Sequence, residues 1–222
     1  VKTKTDTFSA DYIVSSLDPQ VFNKLYRNKE LKPAASRSCS GIAVYGVLKK
    51  PLPENIVTHS VVMPDDPSDL YSKLEDNQLP LQTMTFVNYY KAHEIYPNDK
   101  PTVAVLLTAP ADGKHYDIDH PWVKKEITRV SEKLGLETSI TELFEDHVVL
   151  DPEYFGSWGA PGGALYGATK PLWQSGPFHS PQYRSPLTPW LFRVGASVHP
   201  GGGIPAVLGG AMNSIGSLTK KK

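Results

Sequence analysis

The sequence predicts a mixed α/β protein with a strand-rich central part and a strand–turn–helix unit near its end. Three observations carry this reading. Strand-like runs of β-branched and alternating apolar residues recur between about residues 39 and 111. One stretch, from Pro121, spaces its apolar residues at helical intervals instead. The run LFRVGASVHPGGGIPAVLGGA, from Leu191 to Ala211, sets a glycine-rich turn between two apolar segments.

Taken in order, VKTKTDTFSA reads as extended, and Tyr12-Ile13-Val14 as a strand. Asp18-Pro19 then opens a helix through VFNKLYRN, with Pro19 at its first position, where the missing N–H costs nothing. A polar link, NKELKPAASRS, leads to the strand CSGIAVYGVL. The extended segment NIVTHSVVM follows, then a helix in DDPSDLYSKLED with Asp66 as N-cap. QTMTFVNYYKAH and TVAVLLTAPA read as two further strands. From Pro121, the residues Trp122, Val123, Ile127, Val130 and Leu134 form one apolar stripe, and Gly135 is placed to end that helix. From Asp151 to Pro189, glycine, proline and aromatic residues are frequent and periodicity is weak, which reads as a long crossing segment. LFRVG is then a strand, and a helix starts near Ile204 or Pro205.

Composition narrows the function. The 222 residues suffice for one large domain or two small ones. Lys plus Arg and Asp plus Glu each number 23, so the chain has no net positive field of the kind nucleic-acid binding needs. A single cysteine, Cys39, excludes an internal disulfide framework and a multi-cysteine zinc site. Its neighbours Ser38 and Ser40 lie with it in a predicted strand, without the sharp elbow that exposes a nucleophile. No apolar run approaches the ~18 to 20 residues of a membrane span, and the opening residues are too polar for a signal-peptide core.

The glycine turn carries the clearest chemical signal. Contiguous glycines admit positive φ and close approach of a ligand to the main chain, and a following helix aims free amides and partial positive charge at the same place. A tight strand-to-helix turn needing glycine only for its geometry is the other reading, and spacing alone leaves both open. The spacing is not GxGxxG, so pyrophosphate binding of that kind is not indicated.

VGASVHPGGGIPAVLGGA, preceded by GALYGATKPLWQSGPFHSPQYRSPLTPWLF, closely resembles the C-terminal end of the bacterial and fungal carotenoid desaturases, the phytoene and dehydrosqualene desaturases and their relatives. ADYIVSSLDP resembles the family's strand and turn between flavin and substrate domains, and SCSGIAVYGVL its first substrate-domain strand. The resemblance implies the C-terminal part of a two-domain, FAD-dependent, amine-oxidase-like α/β fold. Residues 1–32 would be a returning segment of the FAD-binding domain, 33–151 a β-rich substrate domain with one amphipathic helix, and 152–222 the crossing loop and the FAD domain's last strand, loop and helix. The family's GxGxxG, with its acidic residue about 20 positions on, is not in this sequence. The resemblance therefore implies that the N-terminal dinucleotide-binding half is absent from it and is supplied by the same or a separate chain.

The implied activity is removal of hydrogens from a long polyene such as phytoene or dehydrosqualene, with hydride passing to FAD. A carotenoid isomerase or terminal oxidase of the same fold is an alternative, as is a non-catalytic half-protein that binds a partner chain or lipid. Such substrates dissolve in lipid, which implies peripheral association with the cytoplasmic side of a membrane. By resemblance, Gly195, Ala196, His199, Pro200, Gly201, Gly202, Gly203, Ile204, Pro205 and Val207 would line the flavin, with N–H donors near Ile204 and Val207.

The aromatics Tyr154, Phe155, Trp158, Tyr166, Trp173, Phe178 and Trp190 suit either an apolar tunnel or anchors for a long loop, with Tyr166, Trp173 and Phe178 the substrate candidates. His179 and Arg184 suit a flavin-edge or gating role or plain loop support, and His199 a proton carrier or a turn stabiliser. No catalytic acid–base pair is legible. In HYDIDH, His115, Asp117 and Asp119 would share one side if extended, but Asp119-His120-Pro121 is better explained as the start of a helix, and no metal is expected.

Overall fold

The structure is a computed structural model that describes residues 1–28, 37–167 and 183–219. In chain order the described residues form β1 (Ile13–Ser15), α1 (Pro19–Arg27), β2 (Ser40–Leu48), β3 (His59–Val62), α2 (Pro67–Glu75), β4 (Thr85–Tyr90), β5 (Thr102–Ala109), α3 (Pro121–Lys133), β6 (Phe144–Leu150), α4 (Pro152–Ser157), β7 (Arg184–Ser185), β8 (Thr188–Arg193) and α5 (Ile204–Thr219). The described residues are mixed α/β, as the sequence predicts, and form two sheets. Arg37–Leu165 make one compact unit, and the described residues on either side of it make the other.

The helix ends follow local chemistry. Asp18 accepts from the Gln20 N–H (2.8 Å) and Asp66 from the Ser68 N–H (2.9 Å), each with proline at the next position. α3 ends at Gly135, φ +75°, whose N–H donates to Glu132 O while Leu136 N–H donates to Ser131 O, both at 2.9 Å. That pair of bonds is a Schellman closure, which satisfies two terminal carbonyls at once.

In the Arg37–Leu165 unit the sheet order is β3-β4-β5-β2-β6, antiparallel throughout. Alternation sends Ile42, Val44, Leu48, Val87, Tyr89, Val103, Val105 and Leu107 to one side, where they pack with Val123, Ile127 and Val130 of α3. Burying each such side chain contributes about 1.5–3 kcal/mol, so this layer is where the stability lies. The buried Tyr89 hydroxyl accepts from the Leu52 N–H (3.1 Å). At the unit's two ends, Leu165 N–H donates to Cys39 O (3.1 Å) and Ser40 Oγ donates to Gly163 O (2.7 Å), fastening its first residues to its last.

In the other unit β8 lies between β1, parallel to it with Ile13 opposite Leu191, and β7, antiparallel. Few of its large side chains are buried: Leu191, Phe192 and Val198 are, whereas α1 buries none of its nine residues.

Three readings need correction. VKTKTDTFSA is not one extended run but a small hairpin: Thr3 N–H donates to Asp6 O and Phe8 N–H to Val1 O, and Thr3 Oγ1 accepts from the N–H groups of Thr5 and Asp6 and closes a turn. The stretch after Asp151 is not irregular from its start, since Asp151 caps α4 through the Tyr154 N–H (2.7 Å) and Pro152 occupies its first position. β6 answers to no strand read in the sequence. It is an edge strand whose residues Glu145, Asp146, His147 and Val148 are all exposed, so it shows no alternation.

Candidate functional site

The predicted glycine turn joins β8 to α5, and α5 begins at Ile204 as expected. Val194 N–H donates to Ser15 O (3.0 Å), carrying the pairing of β1 and β8 up to the turn. Gly195 has φ +100° and packs on the Ser16 carbonyl, 3.2 Å from where a Cβ would stand. Buried Val198 anchors the loop and donates its N–H to Gly195 O (3.1 Å). Gly201 and Gly203 have φ +117° and +94°, and a Cβ on either would meet nothing within 4 Å, so both front open space. Their conformations are ones that L side chains rarely adopt.

Gly202 differs from its neighbours. A Cβ there would stand in the ring of Tyr166, so the ring packs against the main chain of the turn. On the other flank, a Cβ on Gly210 of α5 would lie 2.9 Å from His199 O and 3.1 Å from Pro200 Cδ. The turn is thus gripped between an aromatic ring and a helix that can approach only because Gly210 has no side chain. Asp18 Oδ2 and Ser197 Oγ reach the same corner, both close to Gly167.

The structure therefore brings Tyr166 together with Gly195, Ala196, His199, Pro200, Gly201, Gly202, Gly203, Ile204 and Pro205 on one segment. Ile204 is 87% exposed. The Val207 N–H donates to Gly203 O (2.9 Å), closing the first turn of α5, so that amide is not the open donor it was expected to be. Ile204, Val207, Leu208 and Ala211 line a shallow apolar hollow beside Gly203.

Trp173, Phe178 and His179 lie outside the described residues. Trp190 packs edge-to-face on Tyr26 (5.3 Å), and the Arg184 guanidinium lies over Phe192 (5.1 Å). In the other unit, Tyr154 makes ring contacts with Phe155 (5.6 Å) and Trp158 (6.2 Å) on and just past α4.

HYDIDH does not converge as an array. His115 Nδ1 lies 2.7 Å from Asp151 Oδ2, while Asp119 pairs with Lys124 (2.7 Å), whose hydrogen bond holds the Asp119 carboxyl below its usual range. Burial, then the hydrogen bond to Asp112, pushes the Tyr116 hydroxyl well above the ordinary phenol range. His120 caps α3 by accepting from the Trp122 N–H (3.3 Å). Among the described residues, His115, Asp151 and Glu153 gather ligand atoms within 4.8 Å of one another. The Asp151 carboxylate is already engaged there by the N–H groups of Tyr116 (2.8 Å) and Tyr154 (2.7 Å), which makes it a structural cap. Cys39 is half-buried, and burial pushes its thiol up, away from nucleophilic character.

One surface went unread in the sequence. On the five-stranded sheet's face opposite the core, register aligns Val61 (β3), Phe86 (β4), Leu106 (β5), Ala43 (β2) and Leu150 (β6) in one apolar row. A second row holds His59, Asn88, Ala104, Tyr45 and Val148. Beside them a cleft of about 570 Å³ is lined by Tyr45, Tyr90, Tyr96, Leu106 and Val148 among others. The signal was present in the alternation Phe86, Asn88, Tyr90, but only the pairing order shows that these side chains continue across five strands.

No protein-family model matches the chain. It is 26% identical over 195 residues to the 4,4'-diapophytoene desaturase (4,4'-diaponeurosporene-forming) of Staphylococcus aureus, in strains bovine RF122 / ET3-1, Newman and USA300 alike. Each match covers 82% of this chain and 38% of the relative, so the chain spans well under half the length of the curated relatives it matches. The matched part is the relatives' C-terminal part. The resemblance to the desaturases read in the sequence is thereby borne out: the chain is similar to the C-terminal part of these 4,4'-diapophytoene desaturases.

Proposed function

We propose that the chain forms the C-terminal part of a flavin-dependent desaturase acting on a long polyene of the carotenoid-precursor class. The observation that carries this reading is the apolar row Val61, Phe86, Leu106, Ala43 and Leu150 on the sheet face opposite the core, exposed at Val61 and Phe86 and buried at Ala43. Five strands about 4.8 Å apart give it a length of about 19 Å. The row itself carries no hydrogen-bonding side chain, which suits a linear hydrocarbon that offers only apolar surface in return, while His59, Asn88 and Tyr45 stand in the row beside it. The relatives' name adds the substrate class: they act on diapophytoene.

The glycine turn fits a flat cofactor ring. Gly201 and Gly203 leave open space where Cβ atoms would stand, so a ring can lie against the main chain. The first turn of α5 presents the Ile204 amide and the positive end of the helix dipole to the same space. In this reading those groups stabilise negative charge at the ring's edge, Tyr166 and Gly210 hold the turn rigid, and the apolar hollow beside Gly203 excludes water. FAD, when bound, would supply the two-electron oxidant that removing a pair of hydrogens from the polyene requires. The remainder of the FAD site, with its GxGxxG, comes from the N-terminal half of the desaturase. Among the described residues no helix is long and apolar enough to cross a membrane. We place the protein at the cytoplasmic membrane surface because its substrate is dissolved in lipid.

Co-expression with a dinucleotide-binding half tests the reading. The purified complex should carry a yellow flavin spectrum and turn a colourless polyene precursor in vesicles into a coloured, more unsaturated product. A complex that stays colourless with excess FAD overturns it. Phe86→Asp should lower turnover about tenfold or more at unchanged flavin content, because a charge then faces the hydrocarbon; full turnover would remove the sheet face from the substrate site.

A further inference from the structure

A second cavity lies in the same unit as the glycine turn, and no residue of that turn lines it. It measures about 360 Å³ and is bounded by α1, β7 and β8. Three arginines, Arg27, Arg184 and Arg193, are among its lining residues, with Thr188 and the stacked rings of Phe22 and Tyr26 (5.8 Å apart, 28°). Among the described residues no carboxylate lines it and none of the three arginines forms an ion pair; Asp11 lines an adjoining depression with Arg184. Arg193 Nε is buried and has no hydrogen-bond partner among the described residues. Like charges around one small cavity repel, and a buried N–H without an acceptor is unfavourable unless something supplies one.

We propose that this cavity binds the phosphate group of a phosphate ester, at a site separate from the glycine turn. Planar guanidinium forks match phosphate oxygens two at a time, and Arg193 Nε offers a desolvated donor that a phosphate oxygen would satisfy. The volume exceeds that of a bare phosphate, and the Phe22–Tyr26 wall would take the apolar or aromatic remainder of the ester. A phospholipid headgroup and a soluble phosphate ester share this chemistry. The inference stands on the arginine cavity and does not require the flavin reading.

Titration of the protein with inorganic pyrophosphate by calorimetry, and flotation with phosphatidylcholine vesicles with and without phosphatidic acid, test it. Binding of pyrophosphate identifies a soluble ester, and flotation only with phosphatidic acid identifies a headgroup; either supports the site, with affinity falling as salt rises. Arg184→Gln and Arg27→Gln should each weaken that binding about tenfold. Arg27 is exposed, so its variant keeps the fold even if loss of the Arg184–Phe192 contact does not. Binding of neither probe, or unchanged binding by the Arg27→Gln protein, overturns the proposal. Displacement of pyrophosphate by FAD, or loss of flavin from the Arg27→Gln complex, overturns the separation of the two sites. A complex that binds no flavin but still binds pyrophosphate leaves this site standing and removes only the flavin reading.

Discussion

Glu126 has no exposed surface, and its Oε2 accepts from the Thr83 N–H (2.9 Å) and from Arg129 Nε (3.1 Å) and Nη2 (2.9 Å). Arg129 also donates to Thr83 O (2.6 Å) and Met63 O (3.1 Å), so one ion pair ties α3 to two loop positions beside the sheet. Removing one partner leaves the other charge buried and unpaired. Arg129→Met should therefore cost about 3–5 kcal/mol in urea unfolding, and adding Glu126→Gln to it should recover part of that loss. If the double variant is less stable than the single, the pair does not act in this way. At this scale the sequence was legible where partners are near in the chain, as for Asp18 with Gln20 or Asp66 with Ser68. It was silent where they are far apart. Gly46 is small because the ring of Phe144 occupies its Cβ position, and Gly202 because of Tyr166. A glycine inside a strand signals such a close approach but not what makes it.

Among the elements, α5 contains adjacent glycines with opposite roles. Gly209 has nothing within 4 Å of its absent Cβ, whereas Gly210 faces the His199 carbonyl and Pro200. Gly209→Ala should stabilise the protein by about 0.5–1 kcal/mol through helix propensity. Gly210→Val should cost about 1–3 kcal/mol by pushing the helix off the turn, and should weaken flavin binding in the complex. Equal thermal shifts for the two would contradict the packing described. Sequence patterning found β2, β4, β5, α1, α2 and α3 because each has a clear period or cap. It missed β6, whose residues Glu145 to Val148 are all exposed, without alternation, and whose pairing shifts register at Val47 and Leu48. It missed the sheet's open face for a related reason: period two assigns residues to two faces without saying which face the chain covers.

On the scale of the whole molecule, burial is uneven. The continuous core belongs to Arg37–Leu165, and the unit carrying the glycine turn has an edge strand, β1, and exposed apolar side chains at Leu25, Ile204, Leu208 and Met212. Native-state hydrogen exchange should therefore show β2, β5 and α3 protected to the highest free energy, with β1, β8 and α5 exchanging through a lower-energy opening. A single protection level throughout would mean that the two units unfold together. Binding of FAD in the complex should raise the protection of β8 and α5 selectively.

The bonds from Leu165 to Cys39 and from Gly163 to Ser40 have a consequence for how the chain folds during synthesis. β1 leaves the ribosome long before β8, its parallel partner, so it must wait unpaired while Arg37–Leu165 is made. The entropy of closing a flexible loop grows slowly with its length, by about 0.6 kcal/mol for each doubling, so shortening the loop between them favours the pairing modestly. Once the middle unit has folded, its fastened ends act as a clasp that takes its residues out of that loop and shortens the stretch of free chain between β1 and β8.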